Sequence, residues 1–234
     1  MGRTMGKFAV SIALLFAATV CVASPAAAQT RRFNVFGGYS YGTSNFSDGF
    51  YLFTPPGTQA LNGYSAAFAV NFNNHIGLEA NFSGHNGTST IVSEPVSGTV
   101  NGNLIASDQN VYTYAFGPKL FQPIGNFSLF THFLVGGVHL NQTFTEKCTP
   151  APGNTCGTTN FGITQKGSGL AFMTGGGVDW NHGHWGIRIL EVDYVRGQML
   201  GAFSGSAIPV SSLATSANNF QLATGITFNF GKLL

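Results

Sequence analysis

Apolar and polar residues alternate with a period of two along most of this chain, the pattern of half-buried strands rather than helices. Eight segments of about ten residues carry it. The first, 32–41, sets Phe33, Val35, Tyr39 and Tyr41 on one face. In the second, 63–72, Tyr64, Ala66, Phe68, Val70 and Phe72 oppose Ser65, Ala67, Ala69 and Asn71. The third, 75–84, sets Ile76, Leu78, Ala80 and Phe82 against Gly77, Glu79, Asn81 and Ser83. The fourth, 110–121, sets Tyr112, Tyr114, Phe116 and Leu120 against Val111, Thr113, Ala115, Gly117 and Lys119. The fifth, 127–140, is apolar on both faces, so its parity stays open, with His132 expected inward. The sixth, 169–180, places Leu170, Phe172, Val178 and Trp180 opposite Ala171, Met173, Gly175, Gly177 and Asp179. The seventh spans 185–195. The eighth, 219–230, is the most regular, with Phe220, Leu222, Ile226, Phe228 and Phe230 on one face.

Short and long connections alternate strictly. Asn73-Asn74, the stretch 122–126 and the stretch 181–184 are short; 42–62, 85–109, 141–168 and 196–218 are long. Several loops of that length count against a compact soluble domain. They are the expected layout of an antiparallel barrel that crosses a membrane, with short turns on one side and long loops on the other. The two faces agree. Bulky Phe, Tyr, Leu, Ile and Val share one face, while Gly, Ala, Ser, Thr and Asn dominate the other. Eight strands leave room inside only for side chains, so the bulky face belongs outside, against lipid. An open edge in hydrocarbon would strand unpaired N–H and C=O groups, so the sheet must close. The fold class is therefore all-β: an eight-stranded antiparallel up-and-down transmembrane β-barrel.

Charge refines the picture. Glu79, Lys119, Asp179 and Arg188 fall on the polar face by parity, but Glu191 and Asp193 do not share parity with Arg188. A continuous seventh strand would put either Arg188 or both acids in lipid, at ~2–4 kcal/mol for an Arg at mid-depth and less for an acid. Either a β-bulge near Ile189-Leu190 resolves this, or the strand leaves the bilayer before Glu191; the bulge is the expectation. It turns Arg188, Glu191 and Asp193 inward and leaves Val192 and Tyr194 outward. Glu79, Lys119, Arg188, Glu191 and Asp193 then form a candidate lumen charge network. Trp180, Trp185 and Tyr194 are expected in the aromatic girdle where the barrel meets the membrane interface.

Composition supports the same environment. Charged residues make up 8% of the 234, against ~25% in ordinary soluble domains. There are 32 Gly, 22 Phe, 7 Tyr and 2 Trp. The 44% hydrophobic content argues against disorder, and no basic run is long enough for nucleic acid. Arg3 and Lys7, the apolar stretch from Phe8 to Ala23, and Ala26-Ala27-Ala28 read as a signal peptide over 1–28, leaving 29–234 as the barrel domain. Cys148 and Cys156 remain after export and are expected to form a disulfide. His182-x-His184 reads as an exposed turn, since no third ligand type lies nearby. Gly175-Gly176-Gly177 is not a phosphate loop because no helix follows it; it suits close packing or a bend.

The ending Gly225-Ile226-Thr227-Phe228-Asn229-Phe230 resembles the Gly-x-x-aromatic-x-aromatic assembly signal of bacterial outer-membrane barrels. Phe36-Gly37-Gly38-Tyr39-Ser40-Tyr41 resembles their first strand; Phe116-Gly117-Pro118-Lys119 and Val192-Asp193-Tyr194 resemble recurrent strand patterns. Together these motifs are similar to the small OmpA/OmpX-like outer-membrane β-barrel domain proteins. Two departures are Ala223 where a polar residue is usual and the Gly231-Lys232-Leu233-Leu234 tail where a terminal Phe is usual. The resemblance implies the bacterial outer membrane, with outer-membrane lipid and the barrel-assembly machinery as partners. The assembly machinery would read Gly225, Phe228 and Phe230. It implies a non-catalytic protein that anchors four long surface loops, in a structural, adhesion or surface-interaction role with an unidentified ligand at the loops. A small porin-like channel is the alternative reading. A lipid-modifying enzyme is a weaker one: the His-x-Ser pair of outer-membrane deacylases does not occur at His132, His139, His182 or His184. No cofactor or metal is called for.

Overall fold

The computed structural model describes residues 31–47, 59–93, 102–149, 161–204 and 213–232. The signal peptide expected over 1–28 lies outside them. So does Cys156, and with it the expected bridge to Cys148.

Eight strands run in chain order: β1 (Arg31–Ser47), β2 (Gln59–Asn71), β3 (Ile76–Ser93), β4 (Gly102–Ile124), β5 (Phe127–Thr149), β6 (Phe161–His182), β7 (Trp185–Ser204) and β8 (Leu213–Lys232). Each pairs antiparallel with the next, and β1 pairs with β8 to close the barrel. Closure satisfies every strand edge, which an apolar surround demands. The outward face carries the large hydrophobics. Tyr39, Tyr64, Phe68, Phe72, Phe82, Tyr114, Phe116, Phe133, Leu170, Phe220 and Ile226 are all exposed. On a closed barrel such a girdling apolar surface is what a bilayer covers.

The strands exceed the sequence expectation. β4 and β5 have 23 residues each, although ~9–11 suffice to cross a bilayer. Their pairing continues to Gly102↔Thr149, through stretches read as loop from the sequence. Those extensions mix polar residues with Leu104, Ile105, Ala106 and Phe144, and on the β3 side Thr88 Oγ1 donates to Asp108 Oδ1 at 2.8 Å. Beyond the lipid, a strand no longer needs an apolar face. The long connections accordingly contract to 48–58, 94–101, 150–160 and 205–212, outside the described residues. Two of the short turns also tighten, while the first, expected as Asn73-Asn74, widens to 72–75. Gly125-Asn126 joins β4 to β5, and Gly183-His184 joins β6 to β7. Both glycines adopt positive φ, 59° and 66°, which L side chains avoid and tight hairpins require.

The expected bulge is present. Val178 pairs with Leu190 and Asp179 with Arg188, so Ile189 is the extra residue toward β6. Toward β8, Arg188 pairs with Gly225 and Glu191 with Ala223. Ile189 and Leu190 both face out, and Arg188, Glu191 and Asp193 all turn inward.

Candidate functional site

Side chains from all eight strands point into the lumen. Near the short turns, Asn34 Nδ2 donates to Asn229 Oδ1 (2.7 Å), and Asn229 Nδ2 donates to Asn181 Oδ1 (2.9 Å). This belt lines a cavity of about 100 Å³, whose wall includes Arg31, Asn71, Lys119 and Asp179. Toward the loop end apolar and polar side chains share the filling. Ala115, Leu134, Met173 and Val195 form one buried cluster, and Leu61, Val111, Val138, Leu140 and Ala171 another.

Between these layers sits the charge cluster. Lys119 Nζ donates to Glu79 Oε2 at 2.5 Å. Glu79 Oε1 meets His132 Nδ1 at 2.9 Å, and His132 Nε2 meets Asp193 Oδ1 at 2.9 Å. Arg188 donates to Asp179 through Nε (2.8 Å) and Nη2 (3.3 Å), and to Glu191 Oε2 through Nη1 (2.9 Å). The guanidinium also lies between two rings, 4.1 Å from the centroid of Phe36 and 4.4 Å from that of Phe130. Lys119 Nζ lies 4.2 Å from the same Phe130 ring. Glu79, Arg188, Glu191 and Asp193 have no solvent exposure at all. Buried charges persist only when paired and hydrogen-bonded, and this cluster pairs nearly all of them.

The five charged residues named from the sequence thus converge in one layer. Three kinds of participant were not assigned to it. His132 bridges β3 to β7, Asp179 anchors the Arg188 fork, and Phe36 and Phe130 sandwich the cations. The inward face is therefore not only small and polar, as expected. Phe36, Phe121, Phe130, Leu134 and Met173 all point into it. Glycine makes the space. Gly175 pairs with His132 on one side and Asp193 on the other. A Cβ there would lie 2.0 Å from Asp193 Oδ1, so its absence lets the imidazole reach the carboxylate across β6. Gly177 does the same for the Phe130 ring, 2.9 Å from where its Cβ would stand. The triple glycine is thus a packing device.

The remaining sequence-named residues lie elsewhere. Trp185 is 63% exposed on the outer face beside the short turns, its ring edge-on to Phe228 at 4.8 Å. Trp180 stacks on His182 at 6.0 Å. Tyr194 lies farther up β7, tilted against Phe220 at 5.4 Å, with its hydroxyl donated to Asn218 (2.7 Å). Nine residues separate Trp185 from Tyr194, and at ~3.3 Å per residue with a ~45° tilt they stand about 20 Å apart in height. That is close to the ~25 Å apolar band of such barrels. Gly225 pairs with Arg188 and Gly38, while Phe228 and Phe230 pack together on the outer face at 5.8 Å. His184 meets Arg31 at 3.2 Å, outside the charge cluster.

A second buried polar pair was not foreseen. Ser40 Oγ and His85 Nε2 lie 2.8 Å apart inside the barrel. The serine also meets the Leu222 carbonyl at 3.3 Å. Among the described residues no carboxylate holds the other imidazole nitrogen, so the pair lacks the orienting acid of a nucleophilic triad. One trio could ligate a metal: Glu79, His132 and Glu191 each offer a ligand atom within 4.8 Å of the others.

No family model matches the chain, and no curated protein matches it in sequence. Solved structures do. The attachment invasion locus protein Ail of Yersinia pestis is 16% identical over 85% of this chain and 99% of its own, with a TM-score of 0.46. The outer-membrane protein OprG of Pseudomonas aeruginosa is 14% identical over 87% of this chain and 97% of its own, with a TM-score of 0.47. Neisserial surface protein A is 9% identical over 85% of this chain and 97% of its own, with a TM-score of 0.40. At these identities the similarity is one of fold. The chain itself closes eight strands in an up-and-down barrel.

Proposed function

We propose that this chain is a non-catalytic integral protein of the bacterial outer membrane, whose sealed barrel anchors four long connections at the cell surface. The buried charge cluster carries this reading. Arg188, Glu191, Asp193 and Glu79 are wholly buried, and apolar clusters lie beside buried polar side chains on the loop side. A conducting path would have to break several buried ion pairs, each costly to separate. The cavity at the turn end has Lys119 and Asp179 in its wall.

The chemistry available to an outer-membrane lipid is also poor. Both Ser40 and His85 face the lumen, away from the lipid. In this reading residues 1–28 are removed on export. Gly225, Phe228 and Phe230 address the barrel-assembly machinery. Trp180 and Trp185 lie at the inner lipid interface with Tyr194 toward the outer one. Cys148 and Cys156 close a short surface loop, and the loops meet an external ligand.

Purified protein refolded into planar bilayers tests the reading against the porin-like alternative. The sealed barrel gives no steady single-channel current. Reproducible conductance steps from the folded form would replace the anchor reading with the pore.

A further inference from the structure

We propose that Glu79, His132 and Glu191 form a binding site for a divalent transition-metal cation of the zinc class, at the centre of the barrel. Three strands supply it. Glu79 comes from β3, His132 from β5 and Glu191 from β7.

The arrangement of the oxygens is the first argument. Each carboxylate has one oxygen committed to a fixed cation. Lys119 holds Glu79 Oε2, and Arg188 holds Glu191 Oε2. The other oxygen of each turns to the same imidazole nitrogen, with Glu79 Oε1 at 2.9 Å and Glu191 Oε1 at 3.9 Å from His132 Nδ1. Tetrahedral zinc with bonds of ~2.0–2.1 Å needs ligand atoms ~3.4 Å apart. The observed separations bracket that value, so rotation of two Glu side chains completes the site.

The second argument is an orphan. Glu191 Oε1 is buried without a hydrogen-bond partner, although its side chain is fully enclosed. A buried carboxylate oxygen left unpaired costs free energy, and a cation at this point satisfies it. Asp193 Oδ2 is likewise unpaired.

The third is the orientation of the histidine. Asp193 Oδ1 lies 2.9 Å from His132 Nε2. A carboxylate behind the far ring nitrogen is an arrangement common among metal-binding histidines; Nδ1 also meets Glu79 Oε1 at 2.9 Å, so it carries a proton in the metal-free barrel, and the ion would take that proton's place. The fourth is charge. Four carboxylates (Glu79, Asp179, Glu191 and Asp193) face two permanent cations, Lys119 and Arg188. With both ring nitrogens bonded to carboxylates the imidazole is a third cation, and exchanging its Nδ1 proton for one divalent ion brings the layer from one excess negative charge to none. The nitrogen ligand favours zinc-like ions over magnesium or calcium. The ion would tie three staves of the barrel together.

The test is metal stoichiometry on the refolded full barrel in micelles. Zinc chloride is added either to metal-stripped folded protein or during refolding, and bound metal is measured after gel filtration. One zinc per chain is expected by at least one route, with a raised urea midpoint. His182→Ala/His184→Ala, which removes the surface histidine pair, should keep it. His132→Gln and Glu191→Gln should lose it, and Asp193→Asn should bind 10–100-fold more weakly. Where a variant fails to fold, X-ray absorption of the zinc-loaded wild type decides. A shell with one imidazole nitrogen and carboxylate oxygens supports the site, and a shell of water alone overturns it. No zinc by either route, or zinc retained in Glu191→Gln and lost with the surface pair, also overturns it.

Discussion

Replacing Arg188 with methionine is the sharpest probe of the luminal cluster. Methionine matches the length of the arginine stem and can pack between Phe36 and Phe130, where sulfur on aromatic rings contributes ~0.3–1.5 kcal/mol. It therefore substitutes much of the ring contact that the guanidinium makes at 4.1 and 4.4 Å. It cannot replace the bonds to Asp179 at 2.8 and 3.3 Å, or the one to Glu191 at 2.9 Å. Both acids are left in a closed lumen without their cation. Breaking a buried pair from one side costs about 3–5 kcal/mol, so Arg188→Met should lower stability by that amount.

The control is Arg188→Met with Asp179→Asn and Glu191→Gln, which strands no charge. Neutralising a whole buried cluster is often neutral or stabilising. The triple variant should therefore recover most of the loss and lie within about 2 kcal/mol of wild type. Urea unfolding in micelles, followed by the emission of the two tryptophans, gives the midpoints. Gel mobility with and without heating reports the folded form. Moderate salt should not change the difference, because the pairs are shielded from solvent ions. A single variant within 1 kcal/mol of wild type would refute the reasoning. So would a triple variant as unstable as the single one, because Arg188 would then act by packing rather than by pairing.

Three further outcomes follow from the geometry. Gly175→Ala puts a Cβ 2.0 Å from Asp193 Oδ1 and 2.3 Å from the Val192 carbonyl; it should cost about 1–3 kcal/mol in urea midpoint, and an unchanged midpoint would show that the His132–Asp193 bridge does not depend on this glycine. Deleting Ile189 alone makes the pairing continuous on both sides of β7 and keeps all three charges inward, so that variant should still shift on heating. Deleting Ile189 and Leu190 together sends Glu191 and Asp193 into lipid, and no folded band should form; equal behaviour of the two deletions would discard the bulge argument. Phe228→Ala/Phe230→Ala should lower outer-membrane abundance several-fold in cells while refolding in vitro persists, and a parallel loss in both would mean that these rings serve packing rather than assembly.

What could be read from the chain follows from where lipid imposes a pattern. Within the bilayer every second residue must be apolar, so the faces of β3, β4, β6 and β8 were legible. The mismatch of Arg188 with Glu191 and Asp193 located the bulge, since hydrocarbon tolerates neither parity error. Above the bilayer that constraint ends. The extensions of β4 and β5 look like loop in sequence, although their backbones stay paired. The parity of β5 stays open in sequence, with His132 alone placed inward, as the structure has it, although the rest is recoverable. Gln122-Pro123 reads as part of the turn, and a connection of that length does not fix register. The turn is Gly125-Asn126 alone. A two-residue hairpin does fix register, and it sets Lys119 opposite His132 and Phe121 opposite Phe130. Lys119 faces inward by parity, so His132 and Phe130 must face inward with it. The bridging histidine and the ring beneath the cations follow from the length of one turn, whereas the Ser40–His85 pair does not. Those two residues lie on β1 and β3, both paired opposite Gly63 of β2, and the long connection between β1 and β2 leaves that register free.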